Sequence, residues 1–101
     1  MYLSTSRDLN GNPITAIESF AFDNIKSSSL SLNDVRHLRH IQPYSFHKIT
    51  VGSFTLTGTK IASIPAKTFV NVYTSSMVLS NNEIEEIAPS AFFNVNVTVL
   101  L

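Results

Sequence analysis

The chain has 101 residues, 44% of them hydrophobic, and its seven basic and seven acidic side chains cancel. A chain of this size is one domain or part of one, and its neutral balance argues against nucleic acid or an anionic membrane as the partner. Without cysteine it has no disulfides and no thiolate metal site, and it shows neither a signal peptide nor an apolar run long enough to span a bilayer.

An internal repeat of 23–24 residues runs through the sequence. The clearest column is a phenylalanine at positions 22, 46, 69 and 92. Other apolar columns keep the same spacing: Ile14, Leu38, Ile61 and Ile84; Ile17, Ile41, Ile64 and Ile87; Ile25, Ile49, Val72 and Val95; Leu30, Phe54 and Met77; Leu9, Leu32, Leu56 and Leu79. Columns in register over four copies indicate a true repeat, with approximate units 4–26, 27–50, 51–73, 74–96 and a partial unit 97–101.

Each copy begins with an alternating apolar pair and continues into a return segment. The pairs in "SLSL" (29–32), "SFTL" (53–56) and "SMVL" (76–79) have the period of a short strand with one buried face. The return has apolar spacings of three and five, and Pro43, Pro65 and Pro89 in it disfavour a regular helix. One strand per copy predicts a parallel sheet whose coils stack on a continuous core.

These columns resemble the leucine-rich repeat family, in the 23–24-residue type common in animal extracellular proteins. The resemblance runs from Leu9 to the end of the chain and implies an α/β solenoid of about four repeats. Its expected features are short parallel strands on the concave side, mostly irregular convex returns, a stacked phenylalanine spine and no terminal caps.

The family also places an Asn where each strand bends into its return, and there its amide satisfies backbone groups of adjacent turns. Asn12 and Asn82 comply, and Thr59 is a hydrogen-bonding substitute. The second copy is one residue longer and has Val35 at this offset. We expect that coil to bulge and its Asn33 or Asp34 to take over the hydrogen bonds.

The exposed strand positions are the first candidate binding surface. Those of the central copies are Ser29, Ser31, Ser53, Thr55, Ser76 and Val78. They are small and mostly hydroxylic, and they lack the Trp, Tyr and Arg in which binding hot spots are enriched. They are therefore either the outer part of a larger concave interface or simply a solvated sheet face.

The second candidate surface is the basic stretch "RHLRH" in the return of copy two. Leu38 is expected to point inward, which leaves Arg36, His37, Arg39 and His40 to project outward. Two copies later the same stretch is the acidic "NEIEE" (82–86). The two stretches form either ordinary solvated charge or a polarised edge that orients a partner, with pH sensitivity from the histidines.

Enzymatic and metal-binding motifs are missing from the sequence. The candidate zinc ligands are His37, His40 and His47, and the first two have the spacing of a pair, but a structural zinc site needs four arranged ligands. No nucleophile elbow or phosphate-binding loop is present, so we expect no enzyme and no cofactor. "NVT" (96–98) is a sequon that would place a glycan on Asn96 if the protein is exported.

The resemblance implies a non-enzymatic module that recognises a protein partner. The absence of caps predicts a piece of a longer secreted or receptor-like protein, outside the cell or at its surface, whose bare ends associate with one another. The alternative is a set of structural spacer repeats without a ligand, from an intracellular or microbial repeat protein.

Overall fold

The chain winds into a solenoid of about four stacked coils, seen in a computed structural model that describes residues 7, 8, 10, 11 and 13–101. Leu9 and Asn12, which the repeat pattern includes, lie outside the described residues. The strands in chain order are β1 (Arg7–Asp8), β2 (Ala16–Ile17), β3 (Phe22–Leu32), β4 (His40–Ile41), β5 (Phe46–Leu56), β6 (Ser63–Ile64), β7 (Phe69–Val78), β8 (Glu86–Ile87) and β9 (Phe92–Leu100).

The described strands form one large parallel sheet and two small ones. The main sheet has the order β1-β3-β5-β7-β9, and the small sheets are β2-β4 and β6-β8. Each strand pairs with its equivalent in the next coil, as in Phe22 opposite Phe46 and Phe46 opposite Phe69. Because equivalent residues face each other, every sequence column becomes a row that runs along the solenoid.

The phenylalanine column forms the predicted spine. Ring centroids are 5.1 Å apart from Phe22 to Phe46, 5.2 Å from Phe46 to Phe69 and 5.0 Å from Phe69 to Phe92, with planes within 11° of parallel. Phe54 packs edge-on against Phe46 at 5.0 Å. Offset stacking of this kind adds to the burial of the rings. The stacked interior is therefore confirmed, and with it the solenoid architecture.

Three left-handed backbone positions recur in the coils and turn the chain. Their φ values lie between 54° and 69°. The first row is Gly11, Asp34, Gly58 and Asn81; the second is Phe20, Tyr44, Lys67 and Ser90; the third is Asn24, Lys48, Asn71 and Asn94. The first and third rows are rich in Gly and Asn, the residues that adopt this conformation at least cost. We call these three rows the first, second and third corners.

The strands are longer than the sequence predicts, and no helix occurs in the described residues. β3 and β5 have eleven residues each and begin at the phenylalanine rather than at the alternating pair. The third corner bends each strand without ending its pairing to the next coil. The predicted solenoid of parallel strands with mostly irregular returns is confirmed, and in the described residues it is built from β-strands without a helical turn.

A proline is one reason why the return strands form two small sheets instead of one. The Gln42 amide donates to Ile17 O at 3.0 Å, and the Ala88 amide donates to Ile64 O at 2.9 Å. The equivalent residue in the third coil is Pro65, which has no N–H to donate to Ile41 O. This bond is therefore missing between β4 and β6, and so is a bond from the Ala62 amide to Arg39 O.

Asn82 performs the structural role predicted for it. Its Nδ2 donates to Leu56 O at 2.8 Å and to Leu79 O at 2.9 Å, and its Oδ1 accepts from the Thr59 amide at 3.0 Å and from the Thr59 hydroxyl at 2.8 Å. The Thr59 hydroxyl also accepts from the Ile61 amide at 3.1 Å. Thr59 is thus confirmed as a hydrogen-bonding substitute.

The extra residue of the second coil is accommodated by a turn. The Leu38 amide donates to Val35 O at 3.2 Å, with positions 36 and 37 between them. Val35 points inward and is fully buried. The Asn33 side chain bonds to the hydroxyls of Ser31 and Thr57 instead of backbone groups of the next coil. The expected bulge is present, but the expected takeover by Asn33 or Asp34 is wrong, because two hydroxyl groups engage the Asn33 side-chain amide and Asp34 is exposed.

Candidate functional site

The predicted strand surface consists of two short rows on the outer face of the main sheet. Ser29 faces Ser53 and then Ser76, while Ser31 faces Thr55 and then Val78. All six side chains are half-buried. Register therefore brings together all the residues predicted for this surface.

Some hydroxyl groups of this strand surface are already hydrogen-bonded to side chains of neighbouring coils. The Thr55 hydroxyl donates to Ser31 Oγ at 3.2 Å, and Ser31 Oγ donates to Asn10 Oδ1 at 2.8 Å. A flat array of small hydroxyls bonded to each other offers a partner little apolar area and few free donors. These rows are better suited to the margin of an interface than to its centre.

The basic stretch lies where the sequence places it. Leu38 is fully buried, and the four basic side chains around it are exposed: Arg36, His37, Arg39 and His40. The turn of the second coil presents Arg36 and His37 at its tip. The turn that holds the extra residue of this coil thus exposes Arg36 and His37 to solvent.

The acidic stretch on the last return is exposed as predicted, but it is partly neutralised. Glu83, Glu85 and Glu86 all face solvent. Lys60 of the intervening coil places its Nζ 3.1 Å from Glu83 Oε2. Both side chains of this ion pair are more than two-fifths exposed, so it adds little to stability and mainly reduces the acidic field.

The second corner presents a cluster of aromatic side chains that sequence reasoning missed. The rings of Phe20 and Tyr44 stack with centroids 5.4 Å apart, and His47 meets Phe20 edge-on at 5.2 Å. His47 Nδ1 lies 2.8 Å from Asp23 Oδ1, which holds the imidazole in place. Phe20 nevertheless remains 51% exposed.

The cluster continues into the last two coils. Lys67 follows Tyr44 in the second-corner row. The Nζ atom of Lys67 lies 3.8 Å from the centroid of the Phe93 ring. Phe93 occupies the same strand row as His47 and is 48% exposed. We call this surface, formed by Phe20, Tyr44, His47, Lys67 and Phe93, the aromatic corner.

The backbone at the aromatic corner is strained. Phe20 has a φ of 60° and Tyr44 a φ of 62°, a region that bulky residues avoid. Hydrogen bonds from Phe20 N to Tyr44 O and from Lys67 N to Ser90 O, each 2.7 Å long, hold this row. The sequence does carry a signal for it, since Phe20 and Tyr44 each stand two residues before the phenylalanine column.

The described residues contain no group of three His, Asp or Glu side chains arranged to hold a metal ion. His37 and His40 are exposed on the second return, whereas His47 belongs to the aromatic corner. His47 therefore lies on a different surface from His37 and His40, the other two candidate zinc ligands.

Asn96 of the sequon is exposed on the outer face of β9. It lies in the row that runs from Lys26 through Thr50 and Tyr73. A glycan on Asn96 would emerge beside the Tyr73 ring.

A comparison with family models identifies the repeat. A model described as "BspA type leucine-rich repeat region (6 copies)" matches residues 5–100. The chain belongs to this family. The match supports the leucine-rich repeat assignment, while the narrower animal extracellular type is not confirmed.

Neither the curated proteins nor the solved structures include a match to this BspA-type chain. In the part of the chain that the structure describes, no helix has the length and apolar character needed to cross a membrane.

Proposed function

We propose that this BspA-type repeat segment is a non-enzymatic module that recognises a protein partner, and that the aromatic corner is the centre of the contact. The observation that carries the proposal is the exposed stack of Phe20 and Tyr44 beside His47. Tyrosine is enriched in binding hot spots, and a row of rings along several coils supplies contiguous apolar area for a partner to cover.

Backbone strain gives independent support for this role. An L-residue in the left-handed region costs roughly 1–2 kcal/mol, and only Gly, Asn and Asp adopt it routinely. The second corner nonetheless has Phe20 and Tyr44, although Asn predominates in the third corner. Strained positions concentrate at functional sites, so the strain favours a role in binding, rather than in folding, for Phe20 and Tyr44.

The two surfaces predicted from sequence complete the proposed interface. The outer rows led by Ser29 and Ser31 would form its polar margin. The exposed groups at Arg36, His37, Arg39 and His40 would steer an acidic partner, since charge at a margin acts mainly on the association rate. A cell-surface or extracellular location is part of the proposal and is supported by membership in the BspA-type family.

The test removes two rings of the aromatic corner by substitutions that suit the left-handed backbone. Asn adopts left-handed φ more readily than Phe or Tyr, so the double variant Phe20→Asn with Tyr44→Asn removes both rings and keeps the backbone. Ser90→Asn is the matched control, because Ser90 occupies the same corner row without a ring. Circular dichroism and urea unfolding confirm that all three proteins fold.

Each protein is immobilised and exposed to the secreted and envelope proteins of its source cells, and retained proteins are quantified by mass spectrometry. A true partner is retained by the wild type and by Ser90→Asn, and its affinity for the double variant, measured by calorimetry with purified partner, falls at least about tenfold. Equal retention by all three proteins, or no specific retention, would refute the proposal and favour the spacer role.

A further inference from the structure

A second surface, separate from the aromatic corner, is a groove on the outer face beside the third corner. Its volume is about 420 Å³, and it crosses all four coils. One wall is the third-corner row, and the other is the strand row of Lys26, Thr50 and Tyr73. We call it the amide groove, after the asparagines Asn24, Asn71 and Asn94 that line it with Lys48.

Polar groups in the amide groove are held in fixed positions. Asn94 Nδ2 donates to Asn71 Oδ1 at 2.6 Å and to the Tyr73 hydroxyl at 3.1 Å. These bonds use one end of each amide, so Asn71 Nδ2 and Asn94 Oδ1 remain as a donor and an acceptor for a ligand. Tyr73 is 41% exposed and offers its ring next to them.

The groove is also cationic. Lys26 and Lys48 line it, and no Asp or Glu is among its described lining residues. Within the described part of the chain, Lys48 has no carboxylate within 4.0 Å. Lys48 of the second coil therefore favours a negative group, whereas the last two coils offer amides and an aromatic ring.

The spacing of the coils restricts the shape of the ligand. Parallel strands are about 4.8 Å apart, so the groove repeats its polar groups at that interval. The length of one sugar unit in an extended polysaccharide is similar to this interval. Amides bond well to hydroxyls, a tyrosine ring packs against the C–H face of a pyranose, and ammonium groups pair with carboxylates.

We propose that the amide groove binds an acidic oligosaccharide, with one sugar against Tyr73 and a uronate carboxylate at Lys48. An acidic peptide could satisfy Lys48, but it would lack the hydroxyls that the amides and the ring select. The inference does not depend on the aromatic corner, because none of its five residues is among the described lining residues of the groove.

The probe is an oligogalacturonate, measured by calorimetry at low salt with the full chain. The fully methyl-esterified oligosaccharide keeps the sugars without the charge, and an oligoglutamate of equal length keeps the charge without the sugars. We expect binding of the acidic sugar at least about tenfold tighter than either comparison ligand, and weakened by salt.

Two substitutions test the residues directly. Lys48→Asn removes the charge and supplies the residue found elsewhere in the third corner, while Tyr73→Thr removes the ring and supplies the residue found in the same row at Thr50. Each should weaken oligogalacturonate binding about tenfold. Lys60→Gln removes one positive charge outside the groove and should leave binding unchanged, as should the double variant of Phe20 and Tyr44.

No detectable binding of the oligogalacturonate would overturn the inference, as would equal binding of the esterified sugar or of the oligoglutamate. Unchanged binding by Lys48→Asn or Tyr73→Thr would overturn it as well. Because the double variant at the aromatic corner retains the groove, failure of one proposal can be distinguished from failure of the other.

Discussion

The ring of Phe46 stacks on the ring of Phe69 with centroids 5.2 Å apart and planes 11° from parallel. Both side chains are fully buried, and Phe46 stacks on its other face against Phe22. Phe46 and Phe69 therefore each contact the rings of two neighbouring coils, and loss of either ring affects three coils.

Replacing Phe46 by Ala should lower the free energy of unfolding by about 3–5 kcal/mol, through lost burial and an unfilled cavity. Urea unfolding followed by circular dichroism measures the change. Phe93→Ala is the matched control, because Phe93 is 48% exposed, and it should cost clearly less. Should Phe46→Ala prevent folding, Phe46→Leu must still destabilise more than Phe93→Ala. Similar losses in the free energy of unfolding at both positions would contradict the stabilising role of the phenylalanine spine.

The apolar columns could be predicted from sequence because each one is a line of buried side chains in register. Strand length could not be predicted. In β3 the buried positions are 22, 25, 27, 30 and 32, so the period of two is broken twice within one strand. Only the last part, with Leu30 and Leu32, shows the alternation by which a strand is recognised.

The corners and the two surfaces near them could not be predicted from the sequence for a related reason. Lys48 adopts left-handed φ although its residue type does not favour it, and the Asp34 amide donates to Thr57 O of the next coil at its left-handed corner. The aromatic corner and the amide groove both depend on side chains that those corners turn outward. The basic turn, by contrast, was predictable because Leu38 marks the buried side of its segment.

Asn82→Ala should destabilise the chain by about 1–3 kcal/mol, because Leu56 O and Leu79 O lose their donor. Asn82→Asp keeps an acceptor for the Thr59 amide but directs a carboxylate at two carbonyl oxygens, so it should also destabilise. Thermal and urea unfolding provide the measurement. Ser80→Ala, at an exposed neighbouring position, should change stability little. An Asn82→Asp variant as stable as wild type would show that the donated bonds are unimportant.

Exchanging residues within the third corner should change stability in opposite directions. Lys48→Asn should stabilise the fold by about 0.5–1 kcal/mol, and Asn24→Lys should destabilise it by a similar amount, because φ is 56° at Lys48 and 57° at Asn24. Lys26→Asn makes the same chemical change within the strand and should not stabilise. If Lys26→Asn and Lys48→Asn have equal effects, the corner conformation is not the cause.

Pro65→Ala should extend the pairing of the return strands. The new amide at position 65 would face Ile41 O, as the Gln42 amide faces Ile17 O. Hydrogen exchange followed by NMR should show this amide protected to a degree similar to the Ala88 amide. Exchange at the rate of an unstructured peptide would mean that the turn of the second coil, and not the proline, keeps β4 and β6 apart.

The turn between Val35 and Leu38 shows where this repeat tolerates a change in length. Asp34 and Tyr44 are ten positions apart, whereas Gly58 and Lys67 are nine apart, and the segments on either side keep constant lengths. Additional residues at that point extend the edge while the main sheet stays aligned. Longer loops grafted there would let the edge be redesigned for new partners independently of the sheet.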